Sequence, residues 1–289
     1  MEGNLSRDLF LLHIELRLFW VVAILYSICF LAYLSHCLAP RSGAGRIASG
    51  ILWITVILHT LLIAFRTIEG ERPPFQTLYE TLSWFAWFSS ITYLFIEKGW
   101  NKIYTPGIIV SLIAVSACLY SLLTRSPEIA PLPPALQSPW YEWHVVVAFT
   151  AYAVFVVSFA VEVVYLIFKP MRDETAYNYG LSKDVREDFH RYAHRLVLFG
   201  FPLLAFAIFS GAAWANEAWG RYWSWDPKET WSLTTWTVYA IYIHSMRIKG
   251  WREMLASLLN LFGFVCMIMT FLGVNWLVKL LDLPSMHAY

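Results

Sequence analysis

Residues 143–168 read WHVVVAFTAYAVFVVSFAVEVVYLIF, a run whose one charged side chain is Glu162. As a helix it would rise about 39 Å, more than the roughly 30 Å of a bilayer's hydrocarbon core. No polar face alternates with the apolar one, and a strand in hydrocarbon would leave its backbone groups unpaired, so the run predicts a spanning helix. Working outward from it, comparable runs occupy 16–38, 49–66, 78–96, 103–124, 195–214, 230–246 and 255–279. The pattern predicts an all-α, polytopic membrane protein with eight transmembrane helices, read as a single domain over 1–289.

Composition supports that class. Hydrophobic residues make up 58% of the 289 and charged residues 14%, against about 45–50% and 25% in soluble domains. Mean hydropathy is +0.54. These values exclude a disordered or collagen-like chain, and a net charge of +1 offers no basic surface for nucleic acid. The four cysteines, Cys29, Cys37, Cys118 and Cys266, are scattered among apolar runs and read as packing residues. Met1–Asp8 lacks the basic and apolar regions of a removable signal peptide. Five prolines in 127–139 predict a stiff, irregular loop. Thirteen of the 21 Lys and Arg fall on the side that holds 39–48 and 169–195. The positive-inside rule makes that side the inner one and puts both termini outside. The outer segments are then 67–77, 125–142, 215–229 and 280–289.

One of these outer regions is chemically unusual. Residues 214–236 read WANEAWGRYWSWDPKETWSLTTW and hold six of the chain's 15 tryptophans: Trp214, Trp219, Trp223, Trp225, Trp231 and Trp236. An interface belt would spread them over all helix ends. Gathered in and around one loop, they form a flat, rigid, apolar surface suited to a planar conjugated ligand, with Arg221 and Lys228 available to carboxylates. A belt lying on the bilayer surface is the competing reading.

The eight histidines separate by depth. His144 lies five residues after Pro139, at the outer start of the fifth span, and His287 lies in the outer tail. Both share a side with the Trp-rich stretch, where two imidazoles could ligate one iron from opposite faces. His244 follows Glu229 by 15 residues, about 22 Å at helical rise, which puts it near the inner side. His190 and His194 read as members of a solvated inner loop, His59 as a hydrogen-bonded core residue, and His13 and His36 as interfacial. Glu80 reads as near the outer site or as a helix cap. Glu162 is deeper, available to a partner chain or a proton.

The segment Trp219–Trp231, WGRYWSWDPKETW, resembles the WWD motif of haem-handling membrane proteins, and its DPKET ending is similar to the CcsA (ResC) family of System II cytochrome c biogenesis. Further similarities are Gly200-Phe-Pro-Leu-Leu, Gly211-Ala-Ala-Trp-Ala-Asn-Glu, Thr77-Leu-Tyr-Glu-Thr-Leu, Phe271-Leu-Gly-Val-Asn and Met286-His-Ala-Tyr. The resemblance covers about residues 60–289. It implies a holocytochrome c synthase (haem lyase) that exports haem and presents it on the external loop for thioether attachment to the CxxCH of apocytochrome c. It implies haem b as cofactor and His144 and His287 as outer iron ligands. His244 would be the ligand of an inner haem, and Trp214, Trp219, Trp223, Trp225, Asp226 and Trp231 would form the haem-binding loop. The implied partner is a CcsB (ResB) membrane protein, expected as a separate chain, in a plasma (inner) or thylakoid membrane. The alternative is a System I haem-delivery protein without ligase activity. A cytochrome b-type electron carrier would need histidine pairs 13–14 residues apart within one span, and a small-molecule transporter would leave the tryptophans unexplained.

Overall fold

The computed structural model describes residues 2–38, 43–100, 103–129, 131–170 and 183–282. All regular structure among them is helical. The helices are α1 (Glu2–Leu38), α2 (Ala44–Gly70), α3 (Leu78–Gly99), α4 (Gly107–Thr124), α5 (Pro139–Phe168), α6 (Lys183–Trp219), α7 (Pro227–Ser245), α8 (Met254–Ile268) and α9 (Val274–Leu281). A π-helical turn, Met269–Gly273, joins α8 to α9, so the last three pieces form one continuous run. Among the described residues, eight long helical runs therefore stand where the hydropathy pattern predicts them. Six are long and apolar enough to cross a membrane. Those that fall short are α3, which buries Glu80, Ser83, Ser89, Ser90 and Glu97, and α7, which is rich in Thr, Trp and Tyr.

The chain divides into two compact units, Met1–Leu132 and Pro133–Tyr289. In the first, α1 packs on α2 and α4, and α3 on α4 and α2. The pairing register is visible in side-chain contacts. Antiparallel α1 and α2 meet at Glu15–Arg66, Tyr26–His59 and Cys29–Thr55. Parallel α1 and α3 meet at Glu15–Tyr79 and Tyr33–Glu97, each pair 64 residues apart. Glu80 closes a capping box with Thr77 at the start of α3 and also takes Arg66 at 3.0 Å. His59 is buried and hydrogen-bonded, as expected. Cys29, Cys118 and Cys266 are buried, and all four cysteines are free thiols.

In the second unit α5 and α6 run antiparallel along their whole length. Contacts recur at Ser138–Glu217, Tyr141–Trp214, His144–Ala207, Ser158–Ala193 and Glu162–His190. Two glycines of α6, eleven residues apart and so on one face, let α5 approach. A Cβ on Gly200 would come within 2.8 Å of Phe155, and one on Gly211 within 2.8 Å of the His144 ring. Stacked pairs Phe155–Tyr239 and Phe159–Phe264, with centroids 4.0 and 3.9 Å apart, tie α7 and α8 to α5.

Two expectations are corrected here. His190 and His194 do not lie in a solvated loop, because the helical segment begins at Lys183 and carries both into the bundle. Glu162 is not left for another chain. It is fully buried and accepts hydrogen bonds from His190 at 2.8 Å and from Ser257 and Asn260. The other His190 nitrogen faces the Arg252 carbonyl at 2.6 Å.

Candidate functional site: the tryptophan-rich end of the second unit

Most of 214–236 is helix rather than loop. Trp214 and Trp219 close α6, Trp231 and Trp236 lie in α7, and only 220–226 is irregular. The sequence dictates both boundaries. Gly220, at φ 72°, takes the left-handed conformation that ends a helix, and its N–H donates to Asn216 at 2.9 Å. Asp226 caps α7, Pro227 occupies its first position, and Glu229 completes a capping box.

Glu229 holds the short loop in shape. Its Oε2 accepts from the Ser224 N–H at 2.8 Å and the Asp226 N–H at 3.2 Å, and the Ser224 hydroxyl also donates to it. Between these anchors Trp225 adopts φ 58°, a left-handed conformation that costs a non-glycine residue about 1–3 kcal/mol and persists only where its surroundings enforce it. The result is an indole turned outward. Trp225 is 69% exposed and Tyr222 63%, with Trp223 packed edge-on against Trp225. Asp226 is buried, and its carboxylate accepts from the Lys228 N–H at 2.9 Å, so it shapes the loop from within.

His144 lies one turn inside α5. Its Nδ1 is 2.7 Å from the Ala207 carbonyl. A carbonyl only accepts, so this contact places a proton on Nδ1, which suits ligation through Nε2. Gly211 gives the ring its place against α6. Trp214 stacks on it at 6.0 Å and 20°. Trp214 itself is buried, donates to the Ala135 carbonyl at 2.7 Å and packs on Tyr141 and Trp219. It forms the wall behind His144 rather than an open surface. Helix α5 adds Trp140 and Trp143, 48% and 63% exposed.

Residues 75–282 match the family described as Cytochrome C assembly protein. The cytochrome c biogenesis protein CcsA of Chlamydomonas reinhardtii is 34% identical over 247 residues, which is 83% of this chain and 67% of that protein. Its namesake from Guillardia theta is 34% identical over 266 residues, 86% of this chain and 85% of that protein.

The chain belongs to the CcsA family of cytochrome c assembly proteins.

The solved cytochrome c haem lyase CcmF shares the fold of this CcsA-family chain, with a TM-score of 0.63 at 13% identity. The match covers 96% of this chain and half of that one. With its apolar helices and these relatives, the chain is a multi-pass membrane protein of cytochrome c biogenesis.

The remaining site residues lie as follows. Trp231 is half-buried in the first turns of α7. His244 is exposed in the last turn of that helix, 15 residues beyond Glu229 and so far from the Trp-rich end. The structure thus brings His144 together with Trp214 and does not bring His244 to them. His287 lies outside the described residues. Sequence reading passed over Glu229, Gly211, Trp140 and Trp143. The first was legible as Asp-x-x-Glu after an aromatic run, and the last two as the aromatic residues flanking Tyr141 and Glu142 just before His144. Gly211 begins a family-like segment, but nothing local marks it as the seat of the His144 ring.

Proposed function

We propose that this chain is a cytochrome c synthase subunit that exports haem and presents it, at the Trp-rich end of the second unit, for attachment to apocytochrome c. The single observation that carries this reading is the His144 ring: its proton is held at Nδ1 by a main-chain carbonyl, and it stands on a wall of indole. The residues fit an iron porphyrin. His144 and His287 would hold the iron, and Trp219, Trp223, Trp225 and Trp231 would offer the planar apolar surface. Trp214 and Asp226 support that surface from behind. His244 serves a second haem towards the other side of the membrane. Haem b is the form that offers intact vinyl groups. The eight helical runs all cross the bilayer, both termini lie on the outer side, and the two units serve one haem-handling domain over 1–289.

In the reaction each CxxCH thiol adds across a haem vinyl group: sulfur bonds to one vinyl carbon and a proton ends on the other. The chain's part is to bind, orient and exclude water. Rigid indoles hold the plane, and fixed imidazoles set the depth. Such positioning supplies roughly 7–11 kcal/mol of a barrier. The partner is a CcsB (ResB) protein as a separate chain, and the setting is a plasma (inner) or thylakoid membrane.

Co-expression with a CcsB protein and a secreted CxxCH reporter tests the proposal. Covalent haem on the reporter is expected with the wild-type chain and is expected to be lost with His144→Ala. Equal covalent haem with and without this chain would overturn it.

A further inference from the structure

We propose that the first unit carries protons across the membrane along a column of exchangeable groups centred on His59. His59 is wholly buried near the middle of α2, with Nδ1 3.1 Å from the Tyr26 hydroxyl and Nε2 2.8 Å from the Ser83 hydroxyl. Both partners can donate or accept, so the hydrogen bonds through the ring can run in either direction. His144 is the contrast. A carbonyl faces its Nδ1 and locks one tautomer.

The column continues both ways. Beyond Ser83 lies a small cavity lined by Glu15, Phe19, Arg66, Tyr79 and Glu80, with room for about one water. It joins the serine to a charged cluster in which Arg66 bonds Glu15 at 2.7 Å and Glu80 at 3.0 Å. Glu80 reaches Arg72 and the Gln76 N–H at the end of the unit. In the other direction Tyr26, Cys29 and Tyr33 follow one another at single-turn spacing on α1. Cys29 Sγ lies 3.4 Å from the Thr55 hydroxyl, and the Tyr33 hydroxyl donates to Glu97 at 2.9 Å. Among the described residues, Glu97 meets the hydroxyls of Tyr33, Tyr93 and Ser49. Between Ser83 and Glu97, the Ser89 hydroxyl is buried with no hydrogen-bond partner among the described residues, and buried Ser90 interacts with the Tyr26 hydroxyl. Glu80 and Glu97 are 17 residues apart, about 25 Å along α3, close to the depth of the hydrocarbon core. Ionisable groups sunk that deep are costly and mark ion and proton routes.

The step balances simply. Each group gives one proton as it takes one: Tyr26 passes its O–H proton to Nδ1 and is re-protonated from the Glu97 side, the Nε2 proton passes to Ser83, and Ser83 gives its own to the cavity. A turn of the imidazole ring with reorientation of the hydroxyls resets the chain. One proton enters at Glu97, one leaves at the Glu15–Glu80 cluster, and no electron moves.

The test uses the full chain in proteoliposomes loaded with a pH-sensitive dye, with a potassium–valinomycin potential driving proton uptake, in the presence and absence of haem. Uptake several-fold above protein-free vesicles is expected. His59→Gln keeps a donor and an acceptor at similar volume but cannot exchange tautomers. It is expected to keep wild-type thermal stability yet return uptake to the protein-free level, as is Glu97→Gln. Wild-type uptake no faster than empty vesicles under either condition, or full uptake in a folded His59→Gln, would overturn the proposal.

Discussion

In the first unit the helices meet across ionisable groups: Glu15, Arg66 and Glu80 at one end, His59 midway, Glu97 at the other. In the second they meet across aromatic rings and glycines, with Phe155 on Tyr239 and His144 against Gly211, and the buried Glu162 carboxylate is held by His190 near an end. Two histidines show what the difference means. His59 sits between two hydroxyls and can exchange its proton; His144 sits against a carbonyl and cannot. Burial alone does not set a ring's chemistry. What faces each nitrogen does.

Mutations can break or sharpen that contrast. The largest expected effect is in the first unit. Arg66→Ala would strand two buried carboxylates and is expected to cost about 3–5 kcal/mol, read as lowered unfolding temperature in detergent. The haem content of the fraction that stays folded should not change. In the second unit Gly211→Ala should push the His144 ring off its place and weaken haem binding about 10–100-fold, measured by haem titration. Gly50→Ala, with open space beside it, is the control and should leave the titration unmoved. Next, Glu229→Ala removes the clamp on 220–226. A loss of about 1 kcal/mol is expected, seen as faster hydrogen exchange at the Ser224 and Asp226 amides.

The smallest effect belongs to the exposed Lys169–Glu253 bridge, at 3.0 Å, worth at most about 1 kcal/mol. The Lys169 ammonium holds the Glu253 carboxyl below its ordinary range. The bridge therefore contributes above that range and fades as pH falls through the lowered value. The stability gap between wild type and Lys169→Ala should shrink in acid.

Much of this was legible in the sequence. Every apolar helical run followed from hydropathy, because the need to pair backbone groups in lipid leaves a long apolar segment little choice; the first turns of α6 did not. Glu80 was readable as a helix cap from Thr77-Leu-Tyr-Glu. The pairing register was not, since it depends on small residues such as Gly200 and Gly211, and nothing local marks what packs against them. The same holds for Glu162, whose partner His190 lies 28 residues on, at the far side of a basic stretch that reads as solvated. Residues 214–236 read as a loop because tryptophan density hid two helix ends and a capping box within it.

The most direct test of the haem-handling reading is the spectrum of the chain purified with the proposed CcsB partner. Wild type should show six-coordinate, low-spin haem with two histidine ligands. His144→Ala should turn the Trp-end haem five-coordinate and high-spin, and added imidazole should restore it. A wild-type preparation without haem, or a His144→Ala spectrum identical to wild type, would contradict the account.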